Sequence, residues 1–193
     1  MVIVYSIALF FIFCFLAGLF IHLFDVAFVG HDFATTILAA NKVSQIIKDY
    51  KKDEALVYDL GSSRGGFITD LLIHSPKITV IGVDSSKLRI FTSRFRNFFR
   101  NQQVKFLKAN IFSVNISRAD VVYIYLKPSL MPDLEAKLKQ ELKSGAIVIL
   151  NTQTFPSWTL DSSYITHLKK PEYEKLSVYL QPWIKKSFKL NII

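Results

Sequence analysis

One short stretch of the chain constrains the fold more than any other feature. The apolar run Leu56–Leu60 predicts a buried strand, and the glycine- and serine-rich residues 61–66 predict a turn. A helix is predicted over Phe67–His74, followed by a second strand over Thr79–Val83 that ends at Asp84. A turn that leads from a strand into a helix lets a ligand approach free backbone N–H groups. The stretch therefore predicts a nucleotide-type cofactor site in an α/β fold.

Two carboxylates indicate which cofactor the site would take. Asp59 lies two residues before Gly61, where its charge would repel a pyrophosphate but attract the amino group and sulfonium of S-adenosylmethionine. Asp84 lies where a pair of ribose hydroxyls would be bound. Gly61, Ser63 and Gly66 also fit a dinucleotide-binding G-x-G-x-x-G loosely, although that motif alone is weak. A turn that binds no ligand is the other alternative, and the two acids favour S-adenosylmethionine.

Strands and helices alternate through the remainder of the chain. The predicted elements are a helix over Lys87–Arg100, strands over Val104–Lys108 and Asp120–Leu126, a helix from Pro132 to Gly145, and strands over Ala146–Leu150, Ser163–Leu168 and Ser177–Gln181. Such alternation, closed by a final pair of strands, is typical of a doubly wound, Rossmann-like α/β sheet.

The first 24 residues carry no charged side chain. As a helix they would span roughly 36 Å, against about 30 Å for the hydrocarbon core of a bilayer. A cleaved signal peptide would have a basic start and a small-residue cleavage site, and a buried core helix would be less uniformly apolar. We therefore predict a transmembrane anchor over residues 1–27. Because every Lys and Arg follows it, a single-pass topology with a cytoplasmic catalytic domain is expected.

The anchor is expected to lead into a linking amphipathic helix within residues 28–52, capped by Asp32 or Thr35, and then into a catalytic domain over residues 53–193. The single cysteine, Cys14, excludes a disulfide framework, and the four histidines show no spacing typical of a metal site. No metal is therefore predicted.

The predicted helix Lys87–Arg100 combines aromatic and basic residues, within a chain of net charge +9. Ile90 shares one side with Phe91, Phe95 and Phe98, whereas the arginines occupy another. The favoured interpretation is that the phenylalanine side covers the sheet and the basic side faces solvent. The alternative is a basic surface that meets anionic lipid or RNA.

The cofactor stretch resembles motif I of the class I S-adenosylmethionine-dependent methyltransferases in its sequence DLGSSRG, residues 59–65, and Asp84 matches the acid of their motif II. The sequence ANIF, residues 109–112, resembles the segment of that superfamily that contacts adenine. The resemblance implies cofactor-binding roles for Asp59, Gly61, Ser63, Gly65, Asp84 and Asn110.

A second segment resembles a narrower family. The sequence DVVYIYLKPSLM, residues 120–131, followed by FPSW at residues 155–158, is similar to the membrane-anchored protein-lysine methyltransferases related to those acting on the adenine nucleotide translocase and the ATP synthase c-subunit. The resemblance implies lysine N-methylation of a membrane-associated protein, with the lipid bilayer as a second partner. It also implies that Tyr125, Pro128 and Trp158 lie near the reacting groups, with Tyr125 and Trp158 lining the lysine pocket.

Three other functions compete with this prediction, and one of them is the methylation of a small molecule at the membrane. The sequence LGSSRGGF, residues 60–67, also resembles motif I of FtsJ-like RNA ribose methyltransferases. Those enzymes carry an Asp just after the fourth strand, where this chain has Leu126, Lys127 and Pro128, and RNA does not explain an anchor, so a nucleic-acid partner is disfavoured. The other alternative is a membrane-tethered interaction module without activity, because Ser63 and Arg64 replace the Gly and Asp of the narrower family's motif I.

Overall fold

The computed structural model describes residues 2–29, 34–51, 54–98, 104–166 and 174–182. The chain divides into two compact units, residues 1–33 and residues 34–193. The first unit contains one helix, α1, Val2–Val29. Its segment Ile3–Leu23 has 21 residues, a mean hydropathy of 2.6 and 0% burial, so its length and composition would allow it to cross a bilayer.

The second unit is a seven-stranded sheet with helices on both faces. Its elements are α2 Ile37–Lys51, β1 Leu56–Leu60, α3 Gly66–His74, β2 Thr79–Asp84, α4 Lys87–Phe98, β3 Val104–Lys108, β4 Val121–Ile124, a 3₁₀ turn Pro128–Leu130, α5 Met131–Glu141, β5 Ile147–Asn151, β6 Ser162–Ile165 and β7 Lys175–Leu180. The strand order is β3-β2-β1-β4-β5-β7-β6. The first five strands in this order are parallel, and β7 is antiparallel to both of its neighbours. The predicted Rossmann-like sheet with a terminal strand pair is confirmed.

The core has one hydrophobic cluster on each face of the sheet. Because successive side chains of a strand point to opposite faces, Val57 of β1 joins one cluster and Tyr58 joins the other. Side chains of α2, α3 and α4 complete the first cluster, and those of α5 complete the second. Asp59 alternates with Tyr58 and so lies on the face of the first cluster.

Helix α2 begins at a different cap from either predicted one. The hydroxyl of Thr36 accepts the backbone N–H of Ala39 at 3.1 Å, as an N-cap residue does. Thr35 instead forms a hydrogen bond of 2.6 Å with the hydroxyl of Tyr123, and Asp32 lies outside the described residues. The prediction of Thr35 as the cap was therefore wrong, because a tertiary hydrogen bond holds its side chain.

Several predicted element ends also differ from the structure. Strand β4 ends at Ile124 rather than Leu126, because a 3₁₀ turn begins at Pro128, whose ring cannot continue a strand ladder. Helix α5 ends at Glu141, four residues before the predicted end at Gly145. The predicted ends at Arg100 and Leu168 lie outside the described residues.

Helix α4 presents to solvent the side that was predicted to cover the sheet. Its phenylalanines Phe91, Phe95 and Phe98 are 66%, 61% and 81% exposed. The buried side chains are those of Arg89, Ile90 and Ser93. The hydroxyl of Ser93 donates to the backbone oxygen of Ser63 at 2.9 Å, so the helix packs against the turn after β1 through a small side chain. The favoured prediction for this helix was therefore wrong.

Candidate active site

The turn after β1 folds back on itself through left-handed backbone conformations. Gly61, Ser63 and Gly65 have φ angles of 89°, 47° and 74°. The backbone N–H groups of Gly61 and Ser62 both donate to the carbonyl oxygen of Val83, at 2.8 and 2.9 Å. These bonds fix the turn to the end of β2, so that the carboxyl ends of the two strands form one cleft.

Side chains cannot be added at Gly61 or Gly65 of this turn without displacing neighbours. A Cβ at Gly61 would lie 2.6 Å from Cδ2 of Leu126, and one at Gly65 would lie 3.1 Å from the ring of Phe106. Both positions also have the positive φ that favours glycine. The turn therefore requires glycine at both positions, for its backbone conformation and for its close packing against Leu126 and Phe106.

Asp84 organises the cleft from the second strand. One carboxylate oxygen accepts the backbone N–H of Ser63 at 3.0 Å, and the other accepts that of Ser86 at 2.8 Å. A carboxylate has about four acceptor positions, so ribose hydroxyls can still donate to it. The structure thus brings Asp84 together with the turn, as the sequence predicts.

Asp59 is 3% exposed at the base of the same cleft. In the strand register it lies beside Gly82 of β2 and Tyr123 of β4. Burial, and then the charge of Asp84, raise the pKa of Asp59 to about 8. A cation placed beside this buried carboxyl group would strongly stabilise its ionised form. The site therefore fits the charged amino group and sulfonium of S-adenosylmethionine.

Tyr123 forms the floor of the cleft on the β4 side. Its ring is stacked on Phe67 with centroids 3.8 Å apart. Its hydroxyl forms a hydrogen bond of 2.6 Å with Thr35 and accepts the side-chain N–H of Asn151 at 2.9 Å. Burial raises the pKa of Tyr123 well above its ordinary range, so this hydroxyl stays neutral.

Glu174 connects this floor to the start of the second unit. Its carboxylate, 3% exposed, accepts the backbone N–H of Thr36, the side chain of Asn151 and the hydroxyl of Thr166, each at 3.0 Å. The hydroxyl of Thr36 donates to it as well. We call these four residues the Glu174 clasp. None of these four residues was predicted from the sequence. The one feature that could have indicated them is the polar Asn151 at the end of an otherwise apolar strand.

The segment after β4 lies at the same end of the sheet. Tyr125 is half-buried and packs against the first core cluster, which also contains Tyr123. The two tyrosines therefore share one face, as their alternation predicts. Pro128 is exposed and begins the 3₁₀ turn, in which the backbone N–H of Leu130 donates to the oxygen of Lys127 at 3.1 Å.

Trp158 does not join these residues. It lies in the second core cluster, with its ring stacked on Phe155 at 5.5 Å and its indole N–H donating to the oxygen of Leu180 at 3.3 Å. Tyr125 and Trp158 therefore pack on opposite faces of the sheet, and these contacts make Trp158 a core residue. The structure does not bring the two aromatic side chains predicted to line one pocket together.

Asn110 lies at the far edge of the cleft, just after β3. The backbone N–H of Ala109 donates to the backbone carbonyl oxygen of Asp84 at 3.0 Å, so the segment is fixed to the end of β2. The side-chain oxygen of Asn110 accepts the backbone N–H of Phe112 at 2.9 Å. An amide oxygen accepts two hydrogen bonds, so one position is left for a donor such as the amino group of adenine.

The sequence profile of the ANTKMT methyltransferase domain matches residues 59–162, more than half of the chain, from Asp59 to the first residue of β6. The chain belongs to the ANTKMT methyltransferase family. Membership confirms the predicted class I methyltransferase and its cofactor, S-adenosylmethionine.

Curated relatives of this methyltransferase include lysine-modifying enzymes. A lysine N-methyltransferase of Xenopus laevis that is named for the C-subunit of ATP synthase is 28% identical over 122 residues, which cover 62% of this chain and 53% of the relative. The Homo sapiens protein of the same name is 26% identical, with coverages of 62% and 52%. A protein-lysine N-methyltransferase of Saccharolobus islandicus is 30% identical over 106 residues, or 53% of this chain and 65% of that protein. The methyltransferase thus spans about half the length of the first two relatives.

Solved structures share the fold of the methyltransferase. An RNA methyltransferase from Salinibacter ruber, in complex with S-adenosyl-L-homocysteine, superposes with a TM-score of 0.63 at 21% identity, and the match covers 73% of this chain and 91% of that one. TrmN from Thermus thermophilus superposes with a TM-score of 0.57 at 14% identity and covers 73% and 48%. These similarities establish the fold and carry no information on the methyl acceptor.

Proposed function

We propose that this methyltransferase transfers a methyl group from S-adenosylmethionine to the side-chain amine of a lysine in a membrane-associated protein. The observation that carries the proposal is the similarity, over 122 residues, to relatives named as lysine N-methyltransferases. The half-buried ring of Tyr125 just after β4 supports the same acceptor.

The described residues offer contacts for the amino group, the methionine portion, the ribose and the adenine of the cofactor. Asp59 would receive the amino group, the turn at Gly61, Ser63 and Gly65 would border the methionine portion, and Asp84 would accept from the ribose. Asn110 would accept from adenine. When bound, S-adenosylmethionine supplies an electrophilic methyl group on a sulfonium.

The acceptor lysine must lose its proton before it can attack, because an ammonium has no free electron pair. An exposed lysine has a pKa near 10.4, so the site must favour the neutral amine by removing it from water. Tyr125, half-buried beside the end of β4, would supply an apolar ring face for this purpose and for the methylated cation that results. Tyr123 keeps its proton and so adds no negative charge that would hold the lysine as an ammonium.

We further propose that α1 is a single-pass anchor that keeps the second unit on the cytoplasmic side of a bilayer. The support is its 21-residue apolar segment and the position of every Lys and Arg after that segment. A tethered enzyme meets membrane-borne substrates at a raised effective concentration. Residues 34–51 would then connect the anchor to the cleft.

The acceptor can be identified by incubating the purified full-length protein with membranes and methyl-labelled S-adenosylmethionine. We expect label that protease removes and ribonuclease leaves, and that mass spectrometry assigns to a lysine. Tyr125→Ala should slow the transfer, whereas Tyr50→Ala, on α2 and 38% exposed, should not. Calorimetry with both variants would show that cofactor binding is retained.

Two results would overturn the proposal. Label that ribonuclease removes would indicate an RNA methyltransferase of FtsJ-like type. Failure of calorimetry to detect cofactor binding at millimolar concentration would indicate a tethered interaction module without activity.

A further inference from the structure

Three exposed phenylalanines form a stripe along α4. Phe91, Phe95 and Phe98 follow one another at intervals of four and three residues, which places them on one side of a helix. They are 66%, 61% and 81% exposed. Since a phenylalanine buries about 150–250 Å² in a core, the stripe leaves on the order of 400 Å² of apolar surface in water. A contiguous patch of that size on a soluble domain usually marks an interaction site.

The charged residues of α4 and of the neighbouring strand β3 are all basic. Residues 85–119 contain eight Lys and Arg and no Asp or Glu, whereas the whole chain has a net charge of +9. The eight are Lys87, Arg89, Arg94, Arg96, Arg100, Lys105, Lys108 and Arg118. Of these, Lys87, Arg94, Arg96, Lys105 and Lys108 are exposed on α4 and on β3, the edge strand beside it. The complementary partner is therefore anionic and apolar at once.

We infer that the phenylalanine stripe and its surrounding cations dock on the surface of an anionic lipid bilayer. In an interfacial amphipathic helix, phenylalanine rings enter the boundary between headgroups and acyl chains. Lys and Arg side chains of such a helix pair with lipid phosphates. The same chain carries a helix long and apolar enough to cross a bilayer, so the lipid is within reach. The inference rests on the membrane location in the proposed function and adds a second contact to it.

RNA is the competing anionic partner, and the shape of the stripe disfavours it. Proteins that bind single strands line a groove with separated aromatic rings, on which bases stack one at a time. The stripe instead follows the outer side of a helix whose opposite side, including Ile90 and Ser93, is buried. An outward-facing row of rings suits insertion between acyl chains better than stacking.

Docking through α4 would also orient the cleft. The hydroxyl of Ser93 donates to the oxygen of Ser63 at 2.9 Å, and the backbone N–H of Ser86 donates to Asp84 at 2.8 Å. The helix that carries the stripe is thus bonded to the cofactor turn through Ser93, and Ser86, just before the helix, is bonded to Asp84 at the end of β2. A bilayer that holds α4 would fix the height of the cleft above the lipid, where a lysine of a membrane protein would be presented.

Spin labelling of the full-length protein tests this inference. The chain has one cysteine, so Cys14→Ser provides a background for Phe95→Cys, with Ile73→Cys as control because Ile73 is 64% exposed on α3. In nanodiscs of phosphatidylcholine and phosphatidylserine, we expect the label at position 95 to be relaxed more by oxygen, which enters the bilayer, than by a water-soluble nickel chelate. The label at position 73 should respond in the opposite way.

A second variant separates the stripe from the anchor. A label at Phe98→Cys should show the same preference for oxygen and lose it when Phe91→Ser and Phe95→Ser are added, while calorimetry shows unchanged cofactor binding. Labels at positions 95 and 98 that respond like position 73 would overturn the inference. So would protection from nickel that arises only when single-stranded RNA is added. None of these readouts requires methyl transfer, so the inference can fail while the proposed function stands.

Discussion

Binding of S-adenosylmethionine should release a proton from Asp59. In the free protein, burial and the charge of Asp84 raise the pKa of Asp59 to about 8, so the carboxyl is mostly protonated at neutral pH. The amino group and sulfonium of the cofactor would favour the ionised carboxylate. The proton that leaves Asp59 then appears in solution as a measurable part of the binding reaction.

The number of protons released on binding follows from the pKa of Asp59. With a pKa of about 8, roughly 0.9 of a proton is bound to Asp59 at pH 7 and roughly half a proton at pH 8. If the complex contains only the ionised form, binding at pH 7 should release about 0.9 of a proton. The affinity should rise about ninefold from pH 6 to pH 7 and only about twofold from pH 8 to pH 9.

Isothermal titration calorimetry can count this proton. The binding enthalpy is measured at pH 7 in buffers with different heats of ionisation, and the slope against that heat gives the number of protons released. Asp59→Asn should give a slope near zero and bind more weakly by about tenfold or more, because a charged hydrogen bond contributes about 1.5–3 kcal/mol. Asp133→Asn, at an exposed position in the first turn of α5, should behave like the parent. A parent slope of zero, or tighter binding at pH 6 than at pH 7, would refute the assignment.

The same carboxyl should limit the stability of the cofactor-free protein. Folding raises its pKa from 3.8 to about 8, so the folded state binds more protons than the unfolded state and stability falls as the pH rises between these values. At pH 7 the loss is on the order of 4 kcal/mol. Without cofactor, Asp59→Asn should therefore melt at a higher temperature than the parent at pH 7, with a difference that shrinks towards pH 4. Circular dichroism would measure it, and a lower melting temperature at pH 7 would contradict the reasoning.

Two further predictions concern the turn and the clasp. Gly61→Ala should raise the Kd for S-adenosylmethionine at least tenfold, because a Cβ there would lie 2.6 Å from a neighbouring leucine and φ is 89°. A Cβ at Gly66 would lie 3.6 Å from its nearest neighbour, so Gly66→Ala should bind S-adenosylmethionine as tightly as the parent does. Equal affinities of the Gly61→Ala and Gly66→Ala variants would contradict the prediction. Glu174→Ala should lower the free energy of unfolding by about 3 kcal/mol, because it removes an acceptor of the fully buried Asn151 amide as well as the acceptor of Thr36. Asp161→Ala, at an exposed hydrogen bond, should change it by less than about 1 kcal/mol in urea denaturation, and a similar loss in both variants would argue against the clasp.

The parts of the structure that could be predicted from the sequence are those encoded locally. Strands β1 and β3 have the predicted bounds because each is a short apolar or alternating run between residues that break strands. The turn after β1 was predictable because its glycines meet a backbone requirement that few other residues satisfy. Asp84 was predictable because the end of a parallel strand determines its place in the cleft.

The orientation of α4 could not be predicted in this way. The spacing of apolar residues shows that a helix has an apolar side and a polar side. It does not determine which side packs against the sheet when residues on both sides are able to pack. Here the small Ser93 fits against the cofactor turn, and the phenylalanines remain outside. The choice depends on the shape of a loop about 30 residues earlier in the chain.

Long-range polar contacts were equally inaccessible. Glu174 bonds to Thr36 across 138 residues of sequence, and neither residue belongs to a recognisable motif. Trp158 was assigned to the lysine pocket by resemblance, but the loop after β5 carries it to the opposite face of the sheet. Contacts of this kind depend on the path of loops, which residue periodicity does not encode.

The Glu174 clasp has a mechanical consequence. Any force that the amino-terminal helix transmits along the polypeptide must pass through residues 34–36 before it reaches the sheet. At that point Thr36 is bonded to Glu174, and Thr35 is bonded to Tyr123. If α1 is held in a bilayer as proposed, a movement of that helix would reach the domain first at these two residues, whose hydrogen bonds join them to Tyr123 and Glu174 beside the cleft.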